Sequence, residues 1–167
     1  ARWLLKAPGH MLGLEALESV YPDARFIQLH RDPVEVIPSM ASLSVALRSA
    51  FSDVVDEWEI GRDTVDQWSR GLVNTLRLRK KNGDLDARFI DIHYKELVSC
   101  PAEVVRRIVE FTGLSATAMF EQKVEHHLTQ NGKGRHGHHD YSLRRFGFKR
   151  SDLDERFADY RAEHLRA

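Results

Sequence analysis

Apolar positions three or four residues apart alternate along this chain with short unbroken apolar runs, and the alternation marks out its elements. Arg2 to Lys6 reads as a short buried strand. The turn Ala7-Pro8-Gly9 releases it into a helix whose Met11, Leu14, Leu17 and Val20 share one face. Pro22 closes that helix, and Arg25 to His30 reads as a second strand. Strand, helix and strand in so short a span predict a right-handed parallel crossover. Pro33 suits the first turn of a helix that Val34 through Leu47 continue. Pro38 lacks an N–H and disfavours helical geometry at Ile37, so a kink or a delayed helix start is expected there.

From Arg62 to Lys81, Val65, Trp68, Leu72, Val73 and Leu76 hold helical spacing up to a stop at Asn82-Gly83. Arg88 to His93 reads as a third strand. Pro101 starts a helix with Val104, Val105, Ile108 and Val109 on its inner face, and Gly113 ends it. Ser115 is the expected cap of the next helix, which reaches about His127. Residues 129 to 150 lack periodicity and read as a loop. Ser151 is the expected cap of a last helix in which Leu153, Phe157 and Tyr160 share a face. Strands alternating with helices predict an α/β fold with a parallel sheet, formed by residues 1–167 as one domain.

Composition narrows the functional classes. Lys plus Arg and Asp plus Glu both number 25, so nothing global argues for nucleic acid or an anionic membrane surface. The charge is unevenly placed, with Lys133, Arg135, Arg144, Arg145, Lys149 and Arg150 gathered against the single Asp140. Cys100 is the only cysteine, so no intrachain disulfide forms, and a reducing, cytoplasmic setting fits best. No apolar run is long enough to span a bilayer. The cluster Arg135-His136-Gly137-His138-His139 invites a metal reading, but adjacent loop positions seldom converge on one ion, and no metal is expected. A basic loop over a phosphate fits it better, and a solvated loop fits nearly as well.

The most informative stretch runs from Phe26 to Ser39. An apolar run ends in Arg31, a helix starts at Asp32-Pro33, and a hydroxyl follows eight residues after the Arg. A forked, permanently charged cation beside a helix N-terminus is how phosphate sites are often built. An exposed strand-end Arg beside a capping Asp accounts for the same residues equally well.

The order of motifs resembles the sulfotransferase family, the enzymes that use 3′-phosphoadenosine 5′-phosphosulfate, in its bacterial-type branch. Trp3 to His10 is similar to its strand ending in Lys-x-Pro-x-His, and Tyr21 to Ile27 to its "FPDAKF" entry. His30 to Ser39 is similar to its 3′-phosphate motif. His93 to Leu97, with Pro101 and Glu110 to Leu114, resembles its "RYEDL…P…FLGL" block. His139 to Leu143 with Phe146-Gly147 resembles its C-terminal "HRYSLEDFGL" block. The resemblance implies a three-layer, P-loop-kinase-like α/β fold, with the ligand at the C-terminal edge of the sheet.

It also implies roles. Arg31 and Ser39 hold the 3′-phosphate, Tyr94 lines the adenine side, and Lys133 and Arg135 close over the phosphates from a basic loop. Lys6 stabilises charge on the transferring sulfuryl group; by itself it reads as a strand-end Lys with its head in water. His10 is the candidate general base, or equally a residue packing a helix start. The reaction implied is sulfuryl transfer to a hydroxyl or amine of a small-molecule, sugar or lipid acceptor, releasing adenosine 3′,5′-bisphosphate. The family's Gly- and Ser/Thr-rich phosphosulfate loop has no counterpart in the sequence. The domain is therefore expected to be partial, with weak binding and little catalysis by itself. A kinase-like nucleotide enzyme and a non-catalytic binding module are the competing expectations.

Overall fold

The computed structural model describes residues 3–130 and 142–165. In chain order, a 3-10 turn (Pro8–Gly13) leads into α1 (Leu14–Val20), β1 (Phe26–His30), α2 (Pro33–Ser49), α3 (Glu57–Lys81) and α4 (Gly83–Asp86). β2 (Phe89–His93), α5 (Tyr94–Ser99), α6 (Pro101–Phe111) and α7 (Ala118–Gln130) follow. After a 3-10 turn at Leu143–Phe146 come α8 (Arg150–Arg156) and α9 (Ala158–His164). β1 and β2 pair in parallel, so the chain is α/β with a parallel sheet. The described residues fall into two compact units, one of residues 3–24, 32–87 and 142–165, the other of 25–31 and 88–130.

In the first unit, side chains at the N-terminus of each long helix take up N–H groups that the helix leaves unbonded. Asp32 accepts from the N–H of Val34 at 3.1 Å, and Asp56 accepts from those of Trp58 and Glu59 at 2.9 and 3.0 Å. Arg79, Lys80 and Lys81 in the last turn of α3 complement its dipole. Val34 and Ile37 of α2 pack with Leu72 of α3 and with Leu153, Phe157 and Tyr160 near the C-terminus. A neighbouring cluster joins Ala41 and Val45 to Ile60 and Phe146. The 34, 37, 41, 45 spacing is one helical face, and burying each large aliphatic chain on it stabilises the fold by about 1.5–3 kcal/mol.

Several expectations are corrected here. Residues 3–7 form no strand, and Trp3 and Leu4 are each 87% exposed. A strand needs a neighbour for its ladder, and the sheet among the described residues contains only β1 and β2. The connection between parallel strands is therefore not the opening helix but the chain from α2 to α4. Pro38 does not delay α2, which starts at Pro33 and runs through it. The ring removes one backbone donor, while Ile37, Pro38 and Ala41 are all buried and their packing offsets the loss. Ser115 is not the cap of α7; Thr117 is, accepting from the N–H of Phe120 at 3.2 Å. Ser151 does not cap α8 but bonds Asp152 at 3.0 Å, and the last predicted helix breaks at Phe157 into α8 and α9.

In the second unit, the register aligns Phe26 with Phe89 and His30 with His93. Alternation places Phe26, Gln28, His30, Phe89, Asp91 and His93 on one face of the sheet. Phe26 and Phe89 stack there with centroids 4.8 Å apart. Helix α6 ends in a left-handed Gly113, φ +73°. The N–H groups of Gly113 and Leu114 return to the carbonyls of Glu110 and Val109, a closing pair whose left-handed turn favours glycine. Arg107 of α6 pairs with Glu96 of α5.

Candidate functional site

The C-terminal edge of the two-stranded sheet gathers the unit's chemistry-bearing side chains. Because His30 and His93 are register partners, the residues that follow them, Arg31 and Tyr94, leave the sheet at the same end. The guanidinium carbon of Arg31 lies 4.3 Å from the centroid of the Tyr94 ring, a cation–π contact. His30 is 1% exposed, and its Nε2 lies 2.7 Å from Oδ1 of the half-buried Asp91. A carboxylate in an otherwise apolar strand needs such a partner, since an unpaired one is costly to desolvate. The His30 and His93 rings sit 5.7 Å apart. Arg31 thereby brings a forked, permanently charged cation to this edge of the sheet.

The first unit holds Ser39, Lys6 and His10. Ser39 lies half-buried on the second turn of α2. The start of that helix differs from the open anion site that the sequence suggests. Pro33 has no N–H, Val34 donates to the Asp32 side chain, and Glu35 and Val36 donate to the Asp32 carbonyl at 2.9 and 3.1 Å. These donors are satisfied internally, and the Asp32 carboxylate stands at the positive end of the dipole. Its other oxygen accepts from Arg161 of α9 at 3.0 Å, and Arg161 also pairs with Asp154. Arg161 thus balances the negative charge of Asp32.

Lys6 is exposed in the irregular segment before the first 3-10 turn. His10 is half-buried inside that turn and donates its N–H to the carbonyl of Ala7 at 3.2 Å. Lys133, Arg135 and the His-rich cluster lie outside the described residues. Arg145, from the basic stretch, forms a two-pronged pair with Glu57 and reaches Ser42 at 3.5 Å. The pair holds the Glu57 carboxyl below its ordinary range, mainly through the hydrogen bonds from Arg145.

Of the site residues expected from sequence, Arg31 and Tyr94 are brought into contact within one unit. His30, Asp91 and Arg161 were missed. Asp91 carried a readable signal, an acid inside the apolar strand Phe-Ile-Asp-Ile-His. Arg161 carried none, being 129 residues from its partner Asp32.

A family model described as "Sulfotransferase family" matches residues 1–118. The omega-hydroxy-beta-dihydromenaquinone-9 sulfotransferases Stf3 of Mycobacterium bovis and Mycobacterium tuberculosis are each 24% identical over 146 residues, 77% of this chain and 33% of theirs. The chain thus spans about a third of the length of these curated relatives. The crystal structure of sulfotransferase STF9 from Mycobacterium avium aligns with a TM-score of 0.86 and 32% identity, over 98% of this chain and 42% of that one. Sulfotransferase STF1 from Mycobacterium tuberculosis H37Rv aligns with a TM-score of 0.77 and 33% identity, over 95% of this chain and 40% of that one.

Proposed function

Because the chain belongs to the sulfotransferase family, we propose that it is part of an enzyme using 3′-phosphoadenosine 5′-phosphosulfate, and that it supplies the 3′-phosphate half of the donor site. The contact of Arg31 with Tyr94 at the end of β1 carries this reading, since it presents a permanent cation at a sheet edge where ligands of such folds collect. Ser39 is assigned to the same phosphate on its spacing from Arg31, and Lys133 and Arg135 on their place in the basic stretch. In the reaction, a sulfuryl group passes from the donor's phosphosulfate to an acceptor hydroxyl or amine, and adenosine 3′,5′-bisphosphate leaves. Lys6 offsets the charge that builds on the transferring oxygens. His10 takes the acceptor's proton on its imidazole.

The acceptor classes are a small molecule, a sugar or a lipid, and the name of the Stf3 relatives favours a lipid alcohol. A cytoplasmic site of action fits the single cysteine. Residues 1–167 alone are expected to bind the donor weakly, because the sequence holds no Gly- and Ser/Thr-rich phosphate loop.

Ligand preference tests the reading. A chain extended to the length of its relatives should bind adenosine 3′,5′-bisphosphate far more tightly than ATP or ADP in calorimetry, and Arg31→Ala should abolish the preference. Equal affinity for the three would favour a kinase-like enzyme. Tight binding with no transfer to phenol, sugar or lipid acceptors would favour a binding module.

A further inference from the structure

The resemblance assigns Tyr94 to the adenine side of the pocket, yet the structure gives one face of its ring to a cation. Arg31 lies 4.3 Å from the ring centroid, well inside the range of a cation–π contact. Both residues are the first beyond a strand, and the register that pairs His30 with His93 sets them side by side. One step back, the bond of 2.7 Å from buried His30 to Asp91 crosses from β1 to β2 on one face of the sheet. One tie therefore holds the strands from which both residues leave, and the other holds the guanidinium over the ring.

A free arginine samples many rotamers, and an unrestrained one loses that freedom on gripping a phosphate. Contact with a ring restricts where the guanidinium sits before any ligand arrives. We propose that Tyr94 is a positioning residue for Arg31, holding the guanidinium for the donor's 3′-phosphate, with the His30–Asp91 bond fixing the strand ends from which both residues leave. The inference rests on the proposed 3′-phosphate role of Arg31 and changes what Tyr94 does within it.

A double-mutant cycle in the chain extended to its relatives' length separates the two roles of Tyr94. The probes are adenosine 3′,5′-bisphosphate and adenosine 5′-monophosphate, which lacks the 3′-phosphate, with calorimetric affinities as the readout. Tyr94→Leu should weaken the bisphosphate roughly tenfold, as expected for a lost cation–π contact, and leave the monophosphate unchanged. It should have no further effect once Arg31→Ala is present, and Tyr94→Phe, which keeps the ring, should retain the preference. Asp91→Ala should give a smaller loss, again confined to the bisphosphate. Equal weakening of both ligands by Tyr94→Leu, additive with Arg31→Ala, would overturn the inference and restore the adenine role while leaving that of Arg31 intact. If the unchanged protein binds both ligands equally, or neither, the role of Arg31 fails and the inference falls with it.

Discussion

The start of α2 offers a sharp energetic test, because Asp32 does two separable things there. One oxygen caps the helix through the N–H of Val34 at 3.1 Å, and the other accepts from Arg161 at 3.0 Å. Both side chains of the ion pair are partly screened, at 25% and 31% exposure. Loss of a cap costs about 1 kcal/mol, and a pair this exposed contributes about 0.5–1 kcal/mol. Asp32→Ala removes both and should destabilise by about 1.5–2 kcal/mol. Asp32→Asn keeps an acceptor for the cap and loses only the charge, so it should cost about 0.5–1 kcal/mol. With a urea slope of about 2 kcal/mol/M, the midpoint should fall by about 0.75–1 M for the Ala variant and by about a third to a half as much for the Asn variant. Equal losses for the two would refute the cap, and an Ala variant within about 0.3 kcal/mol of the parent would refute both roles.

Two further outcomes follow from the first unit. Gly147 holds φ +74°, and a Cβ there would meet Trp58 ring atoms at 3.0 and 3.1 Å, so Gly147→Ala should cost about 1–3 kcal/mol in urea unfolding. The Glu57 carboxyl is held below its ordinary range by hydrogen bonds from Arg145, so its contribution to stability is complete above the unfolded-state value and is lost as pH falls through the folded-state one. The parent should therefore be more stable than Glu57→Gln at neutral pH and lose that advantage progressively as the pH falls below the ordinary carboxylate range, and an advantage that does not shrink with acidification would contradict the pairing.

The legible parts of this chain are those fixed by local physics. Apolar spacing located α2, α3 and α6, and the buried Leu153, Phe157 and Tyr160 form the face that their periodicity implied. The strand ends at His30 and His93 were readable, and with them the place of Arg31 and Tyr94. What escaped depends on partners distant in sequence. An apolar run such as Trp3-Leu4-Leu5 becomes a strand only where a ladder awaits it, and its exposure shows none among the described residues. Pro38 looked like a helix breaker because the buried surface around it is not visible in the local pattern. The Arg161 pair with Asp32 and the His30 bond to Asp91 close over 129 and 61 residues, and only the fold brings those groups together. The N–H groups expected to stand open at the start of α2 are taken up for a local reason, since Asp32 and Pro33 between them consume or remove those donors.

Sulfuryl transfer itself is the most direct test. A chain extended to the length of its relatives, given 3′-phosphoadenosine 5′-phosphosulfate with labelled sulfur and a hydroxylated lipid acceptor, should yield labelled acceptor and adenosine 3′,5′-bisphosphate in equal amounts. Arg31→Ala should reduce kcat/KM for the donor about 10- to 100-fold, as for the loss of a charged hydrogen-bonding partner. Transfer at the parent rate by Arg31→Ala would contradict the role given to the end of β1, and transfer of a phosphoryl group from ATP instead would contradict the sulfotransferase reading.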